Sequence, residues 1–198
     1  MAAAPVKRID AAGFEVKFRE TIDPWNYAAS PFEAYKRGVL LRACGSDRRY
    51  GRALEFGCAI GETSRFLSPR CLRLLAVDAS PTALAEAERR NAGNRRVAFR
   101  RSLLPREVPR GRFDLVVLSE VAYYLTKREL AMLMQKVARI TAPGGRVVVL
   151  HHVRPFGDAS QLPALAQARA CAALARTMRR VHAASRGRFE CAAYLKPR

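Results

Sequence analysis

The segment Leu54-Glu55-Phe56-Gly57-Cys58-Ala59-Ile60-Gly61 constrains the fold more than any other stretch of the 198-residue chain. An apolar run, Arg52 to Gly57, enters without a linker a loop with small residues at 57, 59 and 61, and a helical pattern follows. Small residues at alternate positions let a backbone approach a ligand closely. In open α/β sheets, ligands bind at the carboxyl ends of strands, where this loop falls. The spacing matches neither the GxGxxG dinucleotide fingerprint nor the GxxxxGK phosphate loop, which disfavours NAD and ATP.

The rest of the chain fits that junction. Strand patterns at 73–78, 96–100, 113–119 and 146–152 alternate with helical ones at 62–67, from Ser80-Pro81 to near Gly93, and from Thr126 to about Ala142. Thr126 and Glu129 read as a capping box, and Pro143-Gly144-Gly145 as the turn into the fifth strand. Upstream, Ser30-Pro31-Phe32-Glu33 predicts a helix start with a second capping box, running to about Cys44. The first 20 residues give no clear pattern. A helix is expected over Ser160 to Ala175, then an antiparallel hairpin about Arg186-Gly187. The sum is an α/β fold: a Rossmann-like, seven-stranded, mostly parallel sheet closed by the hairpin. It is read as one domain over 1–198, with a cap at 1–45 and an α/β core at 52–198.

Composition narrows the class. No run approaches the roughly 20 apolar residues of a membrane span, and no secretory pattern opens the chain, so a soluble cytoplasmic protein is expected. Five scattered cysteines without a CxxC pair argue against a disulfide framework or a zinc site. No metal cluster is expected. The net charge is +19, with 30 of the 36 basic residues arginine. Such a surface attracts anions, but the arginines are spread along the chain.

The loop at 54–61, with Asp78 ending the next strand, resembles motif I and the following acidic position of class I methyltransferases. That resemblance implies S-adenosylmethionine as cofactor. Glu55 then supports the amino end of the cofactor, and Gly57 and Gly61 admit its methionine and ribose. Cys58 and Ala59 complete the loop, with Cys58 a packing residue rather than a reactive thiol. Asp78, beside Ala79, accepts from the ribose hydroxyls. Many members carry an aspartate after the third strand for the adenine amino group; here Ser102, followed by Leu103, holds the place. Asp23-Pro24-Trp25, Ser30-Pro31-Phe32-Glu33 with Lys36, and Ser119-Glu120-Val121-Ala122-Tyr123-Tyr124-Leu125 carry a closer resemblance, to the nodulation protein S family. Those enzymes N-methylate the free amine of a partly deacetylated chitin-type oligosaccharide. By that likeness Trp25 lids the cofactor, Lys36 pairs with its carboxylate, and Ser119 lies beside it.

The cofactor brings the electrophile, so the protein aligns the nucleophile and excludes water. Glu120, after the fourth strand, is the first candidate for amine contact or proton acceptance. Of two adjacent tyrosines, one is expected in the core, and Tyr123 is assigned to the pocket. His151 and His152 end the fifth strand on opposite faces, and His151 is the candidate acid, base or hydrogen-bond partner. Two other functions compete. A nucleic-acid methyltransferase is favoured by charge alone, and SEVA stands where amino-methylases of DNA bases carry (D/N)PP(Y/F). A non-catalytic binding module is opposed by Glu55, Gly57, Gly61 and Asp78. Arginines clustered at the pocket mouth would favour nucleic acid; an aromatic, neutral mouth would favour a small or glycan amine.

Overall fold

The computed structural model describes residues 9–198. The first described element is a helix that the sequence pattern does not announce, α1 (Ala11–Glu20), capped by Asp10, whose side chain accepts from the Gly13 N–H. Next come α2 (Pro31–Ala43), β1 (Tyr50–Phe56), α3 (Glu62–Leu67), β2 (Cys71–Asp78), α4 (Pro81–Arg90) and β3 (Val97–Arg101). Then follow β4 (Phe113–Ser119), α5 (Lys127–Ile140), β5 (Thr141–His152), α6 (Pro163–Ala175), β6 (Arg179–Ser185) and β7 (Phe189–Leu195).

The seven strands form one sheet in the order β3-β2-β1-β4-β5-β7-β6. The first five run parallel, and β7 is antiparallel to both β5 and β6. Strand alternation divides the core. Leu54, Phe56, Val116 and Leu118 point to α5 and α6, while Ala53, Leu115 and Val117 point to α2 and α3. The chain crosses from β3, at one edge, back to β4 beside β1. Strand order therefore reverses between β1 and β4, which is where open α/β sheets leave a crevice.

Three details depart from the sequence pattern. Ser30 caps α2, but the Glu33 carboxylate turns to Lys36 instead of closing a capping box. The box at Thr126 and Glu129 does form. Pro143-Gly144-Gly145 is not a turn ahead of β5 but a bulge inside it: Thr141 pairs with Phe113, and the register has shifted when Arg146 meets Leu115. Lastly, α6 begins at Pro163. Ser160 instead ties its loop to the Tyr123 and Tyr124 carbonyls.

Candidate active site

The loop after β1 takes its shape from three left-handed residues, Gly57, Ala59 and Gly61. The Gly57 and Cys58 N–H groups both donate to the Val77 carbonyl, and the Ala59 N–H donates to the Asp78 carboxylate at 2.9 Å. Gly61 does not face the crevice. A Cβ there would sit 2.8 Å from Asn91, 2.9 Å from Ala87 and 3.1 Å from Phe99. Its role is close packing of the loop on α4 and β3, not admission of a ligand, which corrects the sequence expectation.

Above the loop lies a cavity of about 730 Å³, within the range of small-molecule sites. Gly57, Ala59, Asp78, Ala79, Ser102, Leu103, Ser119 and Glu120 form its floor. Phe14 and Phe18 of α1, with Trp25 and Tyr27, form its roof. Tyr124 closes one side, and Arg101 and Arg106 reach in beside Ser102. A second, narrower space of about 40 Å³ shares Tyr27, Gly57, Ala59, Ser119 and Glu120 with it. Glu33, Lys36, Arg37, Glu55, Cys58 and Glu62 also wall that space.

Electrostatics sorts these groups. Asp78 accepts the Ala59 N–H at 2.9 Å and the Ser80 N–H at 3.0 Å. Burial still leaves its pKa above the ordinary value. Two bonds do not exhaust a carboxylate's roughly four acceptor positions. Glu55 is buried under the loop and accepts from the Ser64 hydroxyl; burial pushes its pKa up to about 7. Burial also pushes the Cys58 thiol well up, which keeps it unreactive.

Glu120 has φ of 58°, a conformation costly for a non-glycine residue. Three contacts hold it there: the Lys36 ammonium at 2.7 Å, the Tyr123 hydroxyl, and the His152 N–H at 2.9 Å. Burial alone would raise its carboxyl, but Lys36 and the neighbouring donors outweigh it and the net shift is downward. Glu120 is therefore a fixed anion and a poor proton acceptor.

Several expected roles change. Lys36 is buried between Glu33 at 2.8 Å and Glu120 at 2.7 Å, so its charge is already matched within the protein. The next residue, Arg37, reaches the Tyr27 carbonyl at 3.4 Å and Glu62 at 3.7 Å, stacks over the Phe66 ring at 4.6 Å, and faces the narrow space. Tyr123 is a core residue whose hydroxyl serves Glu120; Tyr124 lines the cavity in its place. His151 is fully buried. Its Nε2 accepts the Ala122 N–H at 3.1 Å, and Nδ1 faces Gln167 of α6 at 2.6 Å. Burial lowers its pKa, so it is a neutral structural imidazole that does not line the cavity. The Ser102 hydroxyl donates to the Glu107 carbonyl and has no proton left for a ligand.

Arg37 and Tyr27 were the residues that sequence patterning passed over. A signal for Arg37 existed: Glu33, Lys36, Arg37 and Leu40 have the i, i+3, i+4, i+7 spacing of one helix face, and Leu40 is core. Charged residues on a buried face point to a polar site within it.

Comparison with known proteins agrees with this geometry. Residues 15–155 match the family model described as Nodulation protein S. Nodulation protein S of Rhizobium tropici is 33% identical over 127 residues, 64% of this chain and 53% of that protein. The same protein of Bradyrhizobium diazoefficiens is 35% identical over 103 residues, 52% of this chain and 49% of its own length. The chain thus spans about half the length of the curated relatives it matches. Among solved structures, the N-methyltransferase NodS from Bradyrhizobium japonicum WM9, in complex with S-adenosyl-L-homocysteine, superposes with a TM-score of 0.83. That match has 22% identity and covers 96% of this chain and 100% of that one. An O-methyltransferase family protein from Burkholderia thailandensis gives a TM-score of 0.74 at 17% identity, over 95% and 63% of the two chains. At these identities the likeness speaks to fold.

Proposed function

The chain belongs to the nodulation protein S family, whose model covers residues 15–155, and from that we propose that it is an S-adenosylmethionine-dependent N-methyltransferase. Its acceptor is a free amine of a small molecule or an amino-sugar oligosaccharide. The carrying observation is that one cavity at the β1–β4 reversal is lined by both Asp78 and the fixed anion Glu120.

The residues present suit the cofactor. Asp78 retains acceptor positions for a ribose diol. Arg37 faces the narrow space, with its ion pair to Glu62 stretched to 3.7 Å, and it is the cation for an anionic carboxylate end. Glu55 lies beneath the same space and complements an ammonium. When bound, S-adenosylmethionine supplies an electrophilic methyl group on sulfur. Toward it, Glu120 attracts and orients the acceptor amine as a hydrogen-bond acceptor of constant charge. Phe14, Phe18, Trp25 and Tyr27 roof the cavity and exclude water. An aromatic roof also suits the apolar face of a sugar ring. Of the residues lining the cavity only Arg101 and Arg106, beside Ser102, are arginines, short of the cluster that nucleic-acid recognition would favour.

Calorimetry with S-adenosyl-L-homocysteine tests the cofactor half. The wild-type protein binds one equivalent. Asp78→Ala loses a charge-assisted contact of roughly 1.5–3 kcal/mol, about ten- to a hundredfold in Kd. Unchanged affinity in the folded variant would remove Asp78 from the site.

A further inference from the structure

Five residues line both the narrow space and the large cavity: Tyr27, Gly57, Ala59, Ser119 and Glu120. In the cofactor reading above, the charged amino-acid end occupies the narrow space and the ribose rests on Asp78 in the large one. Sulfur and its methyl group join those two ends, so they lie among the shared residues. Of these, Tyr27, Ser119 and Glu120 carry hydrogen-bonding side chains. Ser119 and Glu120 are neighbours on the floor, whereas Tyr27 comes from the roof and faces the same junction from the other side.

The chain holds Tyr27 in place by its backbone. Asn26 before it is left-handed, with φ of 55°. The Asp23 carboxylate accepts the Tyr27 N–H at 2.8 Å and the Ala28 N–H at 3.0 Å, and Arg37 donates to the Tyr27 carbonyl at 3.4 Å. The ring stands against Trp25, with centroids 5.6 Å apart. Its hydroxyl makes no hydrogen bond among the described residues. Burial, and then the nearby Glu120 carboxylate, push the phenol well above its ordinary pKa, so it stays a neutral hydroxyl whose oxygen can accept. Glu120 has little capacity left. Lys36, the Tyr123 hydroxyl and the His152 N–H take three of a carboxylate's roughly four acceptor positions. One N–H of a ligand fills it.

A primary amine that accepts a methyl group must turn its nitrogen lone pair toward the methyl carbon. The N–C bond forms as the C–S bond breaks, the C–S electrons pass to sulfur, and the nitrogen's surplus proton leaves to solvent. Both N–H groups of the attacking amine point away from the methyl and need acceptors. We propose that Tyr27 is the second anchor of the acceptor nitrogen: one N–H goes to Glu120 and the other to the Tyr27 oxygen, and the pair limits transfer to one methyl per amine. This rests on the cofactor and acceptor readings above. The methylated amine carries a methyl where one of those N–H groups stood. To present its lone pair again it must set that methyl against Glu120 or against the Tyr27 oxygen, which leaves a buried acceptor without a donor. Tyr27→Phe replaces the acceptor with an apolar edge that a methyl can occupy.

Calorimetry on the complex with S-adenosyl-L-homocysteine compares a chitin oligosaccharide bearing one free amine with its N-methyl counterpart. The wild-type protein prefers the primary amine by about tenfold, the scale of one buried acceptor left unpaired. Tyr27→Phe brings the two sugars within about threefold and keeps S-adenosyl-L-homocysteine affinity within about threefold of the wild type. Mass spectrometry of the reaction with S-adenosylmethionine shows a single methyl per amine for the wild type and a dimethyl fraction for Tyr27→Phe. An undiminished preference in Tyr27→Phe, with product still monomethylated, overturns the proposal. So does a loss of about tenfold in S-adenosyl-L-homocysteine affinity with the preference intact, which would make Tyr27 a cofactor ligand instead. A wild-type protein that binds no S-adenosyl-L-homocysteine removes the cofactor reading, and one that binds it but neither sugar removes the acceptor reading; this assignment falls with either.

Discussion

Glu55 sits on β1 among the buried Ala53, Leu54 and Phe56, and is itself buried. Its folded pKa of about 7 lies above the unfolded value near 4.5. The protonated form therefore favours the fold: that stability is full below about 4.5 and is gone once pH has risen through about 7. Glu55→Gln keeps a neutral group at every pH. It should match the wild type at pH 4 and exceed it at pH 8 by roughly 3 kcal/mol, at about 1.4 kcal/mol per unit. Urea unfolding at the two pH values measures this, and a constant difference would contradict it. Glu120 behaves oppositely, because Lys36 keeps it ionised. Glu120→Gln should lower turnover on an amine by about ten- to a hundredfold, the loss of one charge-assisted contact. The pH–rate profile should keep its midpoint, since no titrating base has been removed. A profile that loses its acid limb would restore Glu120 as a proton acceptor. The importance of positions 55, 78 and 120 was legible from their place at strand ends. The partners were not: Lys36 meets Glu120 only because α2 packs on the sheet beside β4. The histidine at 151 was misread because alternation predicts a face but not what covers it, and α6 covers it with Gln167.

At the scale of elements, the parallel strands and their helices follow the apolar pattern closely, because a strand buried on both faces has few other ways to read. α1 escaped detection because its core contact is narrow; Phe18 is its one buried residue. Polar contacts fix it instead. Glu15 accepts from the Ser80 hydroxyl at 2.6 Å and the Thr82 hydroxyl at 2.6 Å, and Lys17 reaches Asp158 at 2.6 Å. The Ser80 and Thr82 bonds hold the Glu15 carboxyl at about 2, so this latch is intact above the ordinary carboxylate range and weakens only as pH falls toward 2. Since α1 roofs the cavity, Glu15→Gln should speed release of S-adenosyl-L-homocysteine by about tenfold, from the loss of charge-assisted bonds. Stopped-flow displacement measures that rate. An unchanged rate would mean that the cofactor leaves by a route α1 does not cover.

Across the whole molecule, charge and site chemistry point in different directions. The surface carries a formal +19, and the edge strand β3 exposes Arg100 and Arg101, with Arg95 and Arg96 just before it. Charged side chains on an edge strand also deter strand-to-strand association, so the basic edge does not by itself imply a polyanionic substrate. The cavity beside Glu120 is roofed by aromatic rings, and the proposed function sets an amine on a sugar against that carboxylate. Transfer of labelled methyl from S-adenosylmethionine tests this most directly, with a partly deacetylated chitin oligosaccharide, its fully acetylated counterpart and RNA as acceptors. The account predicts label in the deacetylated sugar alone, with the label resistant to base as an N-methyl group. Label in RNA, or equal label in the two sugars, would contradict it.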